Sequence, residues 1–553
     1  MFGKKPKSNE KKYLVEQKTA LRKENQYKNY GGTLTADNEL LLEDDTDFSL
    51  FPSAVIYVLL SKTFEATAAN GIRSVLSLYL RDSLMFNEGF ATIVLHIFNF
   101  FSQLLPICGA ILADSYWGNA KTVFVFNIPY VIGYLGMFLA TLPYLFSYHS
   151  IVYMSLLFIA TGNGFLRACI TALGAHQFKI PEQKVALDRY FSAYYFFYYT
   201  GILIGKIVPP YVRTKVLVTT YCIEQGQCYT AVFGVIAFSF LVSWIIFLCG
   251  LSSYKPEYPT RDNTMINTFN CISYAIYKSV QRKSEKQEHW LDRSIDKYTQ
   301  EFIEDVKTFL KIVKLFLPLP IFYALLAQQD STWTFQAALT NTNILGIEIQ
   351  ADQFKAIGPI LLLLLIPLWQ KGIEPMLNYC GIHLSSLECV FIGGLFAVLS
   401  FTSAGFLQYY IHQHEINSVS VLWQFPQFLF IMIAEMLISV PGLKFAYTHA
   451  PGNMKSVLTA IFFINNALGN LIVVGVTELD MFKDRCMEFF FYAFLMLLAA
   501  IFIRLLSRRY EMTDSQVEMN IMDEKVIETY VYVDEVTTAN MEENVYRTSD
   551  VEC

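Results

Sequence analysis

Charge is scarce in this chain. Asp, Glu, Lys and Arg make up 16% of its 553 residues, while hydrophobic residues make up 54%. An ordinary soluble protein carries about 25% charged residues. With a mean hydropathy of +0.36, a soluble globular fold is excluded. Strands of roughly ten residues alternating apolar and polar are missing too, which excludes a transmembrane barrel. No Gly-Lys-Ser/Thr loop of the nucleotide-binding type occurs, so an ATP-driven pump is disfavoured. The histidines lack metal spacing, no nucleophile–base pairing can be read, and residues 1–48 have no apolar signal-peptide core. No enzyme chemistry, cofactor, metal or nucleic-acid partner is therefore expected. The net charge of −6 says little about partners, because the charges are segregated into loops and tails.

Long apolar runs are what the chain does have. In lipid every backbone polar group must be satisfied within the segment, and about 20 apolar residues in a helix span the bilayer core. Twelve runs meet that length, near residues 51–80, 89–113, 122–144, 150–175, 190–210, 229–251, 308–328, 353–377, 384–411, 421–446, 455–478 and 485–507. The reading is an all-α, multi-pass membrane protein of twelve transmembrane helices in two six-helix halves, 49–251 and 306–507. A polar tail, 1–48, precedes them and an acidic tail, 508–553, follows. The stretch 252–305 links the halves and is rich in Lys and Arg, as in "YKSVQRKSEKQEHWLDRS". Lys121, Lys371, Lys455, Arg508 and Arg509 fall on the same side. The positive-inside rule then puts the linker and both termini in the cytoplasm. Most of the ten cysteines sit in apolar runs, but Cys222 and Cys228 lie in the polar loop "TTYCIEQGQCYT". If that loop is outside the cell, they are disulfide candidates.

Charge inside a span costs at least about 2.5 kcal/mol on insertion scales, so such residues usually face a cavity or one another. The first span carries Lys62, Glu65 and Arg73, spaced on one helical stripe with Ala69 and Leu76. The second carries His96, the fourth Arg167, and the fifth a tyrosine-rich face with Tyr195 and Tyr199. Lys311 opens the seventh span and Glu435 lies in the middle of the tenth. Each has a plainer reading: a packing hydrogen bond for His96, helix packing for the tyrosines, snorkelling for Lys311. Together they would line a cavity holding both signs of charge, which suits a small zwitterion, with His and carboxylate groups able to carry protons.

Several stretches carry a family resemblance. "GAILADSYWGNAKT" after the second span resembles the "GxLaDxxGxK" loop of the major facilitator superfamily. More specifically, "LGAHQF", "DRYFSAYYFFYYTG", "HWLDRSIDKY", "PLPIFYALLAQQDSTWTFQA" and "WQFPQFLFIMIAEMLISVPGLKFAYTHAPGNMKSVL" resemble the proton-coupled oligopeptide transporter family, in its animal-type branch. The likeness runs in order from about residue 53 to 507. It implies the major facilitator fold and import of di- and tripeptides with protons by alternating access. It further implies a monomer, a plasma-membrane location, small peptides and protons as partners, and the proton as coupling ion in place of a cofactor. The implied substrate-binding residues are Arg73 for the peptide carboxylate, Glu435 for its amino group, and Tyr195, Tyr199, Arg167, Tyr323 and Phe462. The implied proton-coupling residues are His96, Glu65, Lys62 and Lys311.

The chain also departs from the family pattern. The first-helix motif "ExxERFxYY" has Lys62 for its first Glu, Ala66 for its Arg, and Ala69 and Asn70 for its two Tyr. Tyr199 stands where the family has an Asn, Arg167 where it has a Lys, and Gln370 where it has the Asp that partners the residue at Lys311. Lys62 is accordingly expected to pair with Glu65, Arg167 to supply the second cation, and Lys311 to use Glu374. The alternative function is a divergent member with an altered solute or lost proton coupling, acting as a facilitator or a membrane sensor.

Overall fold

The computed structural model describes residues 51–142, 149–178, 183–215, 228–255, 264–280, 289–344, 346–451, 454–482 and 484–510. The expected tail 1–48, most of the tail 508–553, and Cys222 lie outside them. Cys228 is disulfide-bonded.

The described residues are helical nearly throughout. The first six long helices are α1 (Ser53–Leu78), α2 (Glu88–Leu112), α3 (Asn119–Ala140), α4 (His149–Ala175), α5 (Lys184–Lys215) and α6 (Tyr229–Gly250). Then come α7 (Thr264–Val280), α8 (Gln300–Phe316), α9 (Leu319–Ala327), α10 (Thr332–Ala338), α11 (Ile357–Leu368) and α12 (Glu374–Tyr379). The last four are α13 (Ser386–His412), α14 (Phe425–His449), α15 (Lys455–Glu478) and α16 (Arg485–Tyr510). A two-stranded hairpin, β1 (Asn343–Ile344) with β2 (Ile347–Glu348), is antiparallel and pairs Asn343 with Glu348.

Local chemistry sets several of these boundaries. The Asn87 side chain accepts from the Phe90 N–H at 2.6 Å and starts α2. Ser385 and Glu388 form a reciprocal capping box at the start of α13. The expected seventh span, 308–328, is instead longer and broken: α8 and the 319–338 segment meet at a 45° bend. The reason lies in "FLPLPIF", where Pro318 and Pro320 remove backbone donors and crowd the preceding turn.

Nine helices among the described residues are long and apolar enough to cross a membrane, or ten if the bent pair is one span. The helices in the first and fifth places, α1 and α5, are long but carry internal charge: Lys62, Glu65 and Arg73 on one, Lys206 and Arg213 on the other. Large apolar side chains such as Phe196, Phe238, Leu364 and Phe406 are exposed, the arrangement that suits contact with lipid.

Buried apolar side chains gather mainly in two cores. One draws chiefly on α1–α4 and α6, with Phe335 from α10. The other is built from residues 265–503. Helices α1 and α5 pack at close range through Gly201 and Gly205. A Cβ at either position would overlap the Thr63 or the Thr67 carbonyl, the close approach that small residues four apart permit between membrane helices. This contact fixes the charged stripe of α1 beside the tyrosines and Lys206 of α5.

Candidate functional site

Among the described residues, three groups of interior polar residues hold most of the side chains singled out in the sequence. The first is centred on α1. Lys62 and Glu65 form an ion pair of 2.6 Å with both side chains about 5% exposed. Burying one charge alone would be costly, and pairing offsets much of that cost. The Lys62 ammonium also lies over the Tyr198 ring, 5.0 Å from its centroid. Glu65 Oε1 accepts from the Tyr130 hydroxyl at 3.0 Å and from Asn163 Nδ2 at 3.2 Å. Asn163 also accepts from Arg73 through its Oδ1 at 3.4 Å. Arg73 donates further to Asn99 Oδ1 at 3.1 Å and to the Ala69 carbonyl. Its guanidinium is thus held by neutral acceptors, and its charge remains available.

The second group ties residues 53–255 to residues 290–510. His96 is fully buried. Its Nδ1 lies 2.8 Å from Asn470 Oδ1 on α15, and its Nε2 lies 2.9 Å from Ser331 Oγ. In the neutral ring, Nδ1–H must donate to the amide oxygen, so Nε2 accepts from the serine hydroxyl. Arg213 at the end of α5 pairs with Asp352 at 3.0 Å, both buried, and donates to the Tyr229 hydroxyl at 3.2 Å. Glu88 is shared by Arg81 and Arg485. Lys355 pairs with Asp330 at 3.1 Å and reaches the Arg73 carbonyl at 3.4 Å. These bonds gather toward the end of the bundle where α1, α5 and α15 finish and α2, α6 and α16 begin.

The third group lies between the two cores. Glu435 on α14 is half-buried. It is within electrostatic range of Lys206, Tyr199 and Tyr323. Lys206 is in turn within range of Arg73, Asp330 and Lys355, and Tyr199 of Arg167. Arg167 donates to the Gln103 side-chain oxygen. Arg73, Lys206, Arg167 and Glu435 therefore converge from α1, α5, α4 and α14.

The sequence-derived residues fare unevenly. The structure brings Arg73, Tyr199, Arg167, Tyr323 and Glu435 toward one place, and joins Lys62 to Glu65. Tyr195 is 54% exposed and meets Tyr194 edge-on. Phe462 is fully buried against Phe316 and Tyr323, with ring centroids 5.4 and 6.4 Å away, and so sits in an aromatic core. Lys311 is exposed on α8, and among the described residues no ion pair joins it to Glu374, which is also exposed. Arg167 is held by an amide and makes no ion pair with Glu65 among the described residues. Sequence reading missed Lys206, although a lone cation in the apolar run "ILIGKIVPP" is a signal of the same kind as Glu435. It also missed Asp330 and Lys355, which sit at loop edges, and Asn163, Asn470, Tyr130 and Ser331, whose roles depend on pairing across helices.

A family model described as "PTR2: POT family" matches residues 120–484. Among curated proteins, "Solute carrier family 15 member 2" of Oryctolagus cuniculus is 33% identical over 373 residues, covering 66% of this chain and 50% of the relative. "Peptide transporter family 1" of Drosophila melanogaster is 33% identical over 359 residues, covering 64% of this chain and 47% of the relative. The chain thus spans about half the length of the curated relatives it matches. Among solved structures, the POT family transporter PepTSo superposes with a TM-score of 0.71 at 21% identity, covering 84% of this chain and 99% of the other. An auto-inhibited POT family peptide transporter gives a TM-score of 0.70 at 19% identity, covering 83% and 97%. The fold is theirs, the major facilitator fold.

Proposed function

The chain belongs to the POT family, and on that premise we propose that it is a secondary active transporter importing di- and tripeptides with protons by alternating access. The observation that carries this reading is the placement of Arg73 and Glu435. They stand on helices of the two different cores, both within electrostatic range of the single residue Lys206. A cation on one half and a carboxylate on the other suit the two ends of a short zwitterion, and rocking the halves would then open and close the clamp. Tyr199 and Tyr323 border Glu435. Tyr195 and Phe462 belong to the proposal as less direct contributors, one exposed and one packed behind Tyr323.

In this reading twelve helices span the membrane, with halves at 49–251 and 306–507 and a linker at 252–305. Both termini face the cytoplasm, the membrane is the plasma membrane, and the working unit is a monomer. Peptide and proton cross unaltered, with no reaction and no cofactor. The end bridged by His96, Arg213–Asp352 and Glu88 is the outer one in this reading, so the access route is shut on that side. Proton coupling runs through His96 and the Glu65 network. A proton on His96 Nε2 turns that acceptor into a donor and reverses its bond to Ser331, which couples proton occupancy to closure. Lys311, exposed at the opposite end, belongs to the same coupling route through a partner gained during the transport cycle.

A second reading is favoured by one observation. Lys62 already compensates Glu65, so a member that moves its solute without protons, or senses it, is consistent with the same geometry. The test of the clamp uses end-blocked peptides. Binding of alanyl-alanine should be lost on N-acetylation or C-amidation. Glu435→Gln should remove discrimination against the acetylated peptide and Arg73→Gln discrimination against the amide. Equal binding of free and blocked peptides would overturn it.

A further inference from the structure

The charges that converge between the two cores do not balance. Lys355 is neutralised by Asp330, and Lys62 by Glu65. The guanidinium of Arg73 is held by two asparagine oxygens and a carbonyl, and that of Arg167 by a glutamine oxygen. Lys206 is half-buried and, among the described residues, has neither a hydrogen bond nor an ion pair. Among the described residues, one unpaired carboxylate, Glu435, stands against these three cations. A zwitterion of net charge zero uses Arg73 and Glu435 and leaves Lys206 and Arg167 uncompensated.

An uncompensated ammonium partly withdrawn from water is costly. Any solute supplying a second carboxylate recovers part of that cost, whereas one bringing another cation adds to it. Lys206 is also placed to reach such a group. It follows Gly205 directly on α5, at the level where α5 lies closest to α1, and it is within range of both Arg73 and Glu435.

We infer that Lys206 is a specificity-determining residue that reads an acidic side chain, so that the site prefers peptides carrying Asp or Glu over peptides carrying Lys or Arg. The inference rests on the peptide-transport reading above and names the substrate class of that same site. Its chemistry is a carboxylate on a flexible arm between the two clamped ends, facing an ammonium that makes no ion pair among the described residues.

The experiment compares binding of alanyl-glutamate, alanyl-alanine and alanyl-lysine to the purified full chain in detergent, alongside uptake into proteoliposomes. The wild type should bind alanyl-glutamate about tenfold more tightly than alanyl-lysine, the order of one charge pair in a partly desolvated site. In Lys206→Gln that ratio should fall toward unity, in Lys206→Arg it should persist, and in Lys206→Glu it should invert. The wild-type ratio needs no variant, so a misfolded mutant leaves the test intact. Equal wild-type binding of the acidic and basic peptides, with alanyl-alanine bound and imported, would overturn this inference and leave the transport reading standing. A ratio unchanged in Lys206→Gln, with tighter alanyl-alanine binding, would also overturn it, since Lys206 would then be occupying Glu435 in place of the peptide amine. Binding of none of the three peptides by folded protein would overturn both.

Discussion

Glu65 and Arg73 share one stripe of α1 without touching each other. The Asn163 amide stands between them, donating to Glu65 Oε1 at 3.2 Å and accepting from Arg73 at 3.4 Å. A neutral side chain therefore carries a bond to both charges, and among the described residues Lys62 alone pairs with the carboxylate. The arrangement separates a balanced ion pair from an available guanidinium eight residues along the same helix.

Removing Lys62 should expose that division of labour. In Lys62→Gln the buried Glu65 keeps Tyr130 and Asn163 but loses its cation. Breaking one partner of a buried pair costs about 3–5 kcal/mol. Thermal unfolding in detergent should show a large loss for Lys62→Gln and for Glu65→Gln, and a much smaller loss for the double variant. Additive losses in the double variant would mean the pair contributes no coupling energy.

Ala66 has no room for a larger side chain. It is fully buried, on the side of α1 where a Cβ added at Gly201 would lie 2.8 Å from its methyl group. Ala66→Arg should therefore reduce the yield of folded, monodisperse protein, and adding Lys62→Glu should not restore it. Recovery of normal yield in that double variant would show that the helices can separate to admit an arginine.

At the bridged end, Arg213 and Asp352 join α5 to the segment before α11 through a buried ion pair. Asp352→Asn leaves a buried guanidinium without its carboxylate, which favours any state that hydrates it. Spin labels at Met85 and Met481, which are 82% and 56% exposed, should then report a longer distance than in the unaltered protein, with exposed Cys108, Cys249 and Cys380 replaced beforehand. An unchanged distance distribution would show that His96 and Glu88 hold this end by themselves.

Helix α7, outside the spans, is tied to the following turn through Asp296, which meets Lys278 and the Tyr274 hydroxyl. The hydrogen bond from Lys278 holds the Asp296 carboxyl below its ordinary value of 3.8. The sign follows from linkage: a carboxyl lowered in the folded state stabilises above its unfolded value, and that contribution is lost as pH falls through the lowered one. Hydrogen-exchange protection of residues 264–280, corrected for intrinsic rates, should hold down to the ordinary Asp value and weaken only below it. Weakening already near pH 5 would assign the docking to other groups.

Much of this was legible in the sequence because membrane helices are written as length and apolarity. The runs at 89–113, 229–251 and 384–411 returned as α2, α6 and α13 within a few residues. The break in the seventh span is not legible in hydropathy, because the apolar run continues through the bend that Pro318 and Pro320 impose. Glu435 and Arg73 stood out as charges in apolar runs. Lys206 carried the same signal but was masked by the louder tyrosine cluster before it. Phe462 was beyond reach, since an aromatic residue reads alike whether it lines a cavity or packs behind Tyr323. The Asn163, Asn470 and Ser331 bonds depend on helices far apart in sequence, and no local pattern marks them.

The most direct measurement is uptake of labelled alanyl-alanine into proteoliposomes, with and without an inward proton gradient, for the unaltered protein and Glu435→Gln. Proton-coupled import predicts accumulation driven by the gradient and abolished by the substitution. Uptake by the unaltered protein that ignores the gradient, or no uptake by folded protein, would contradict it.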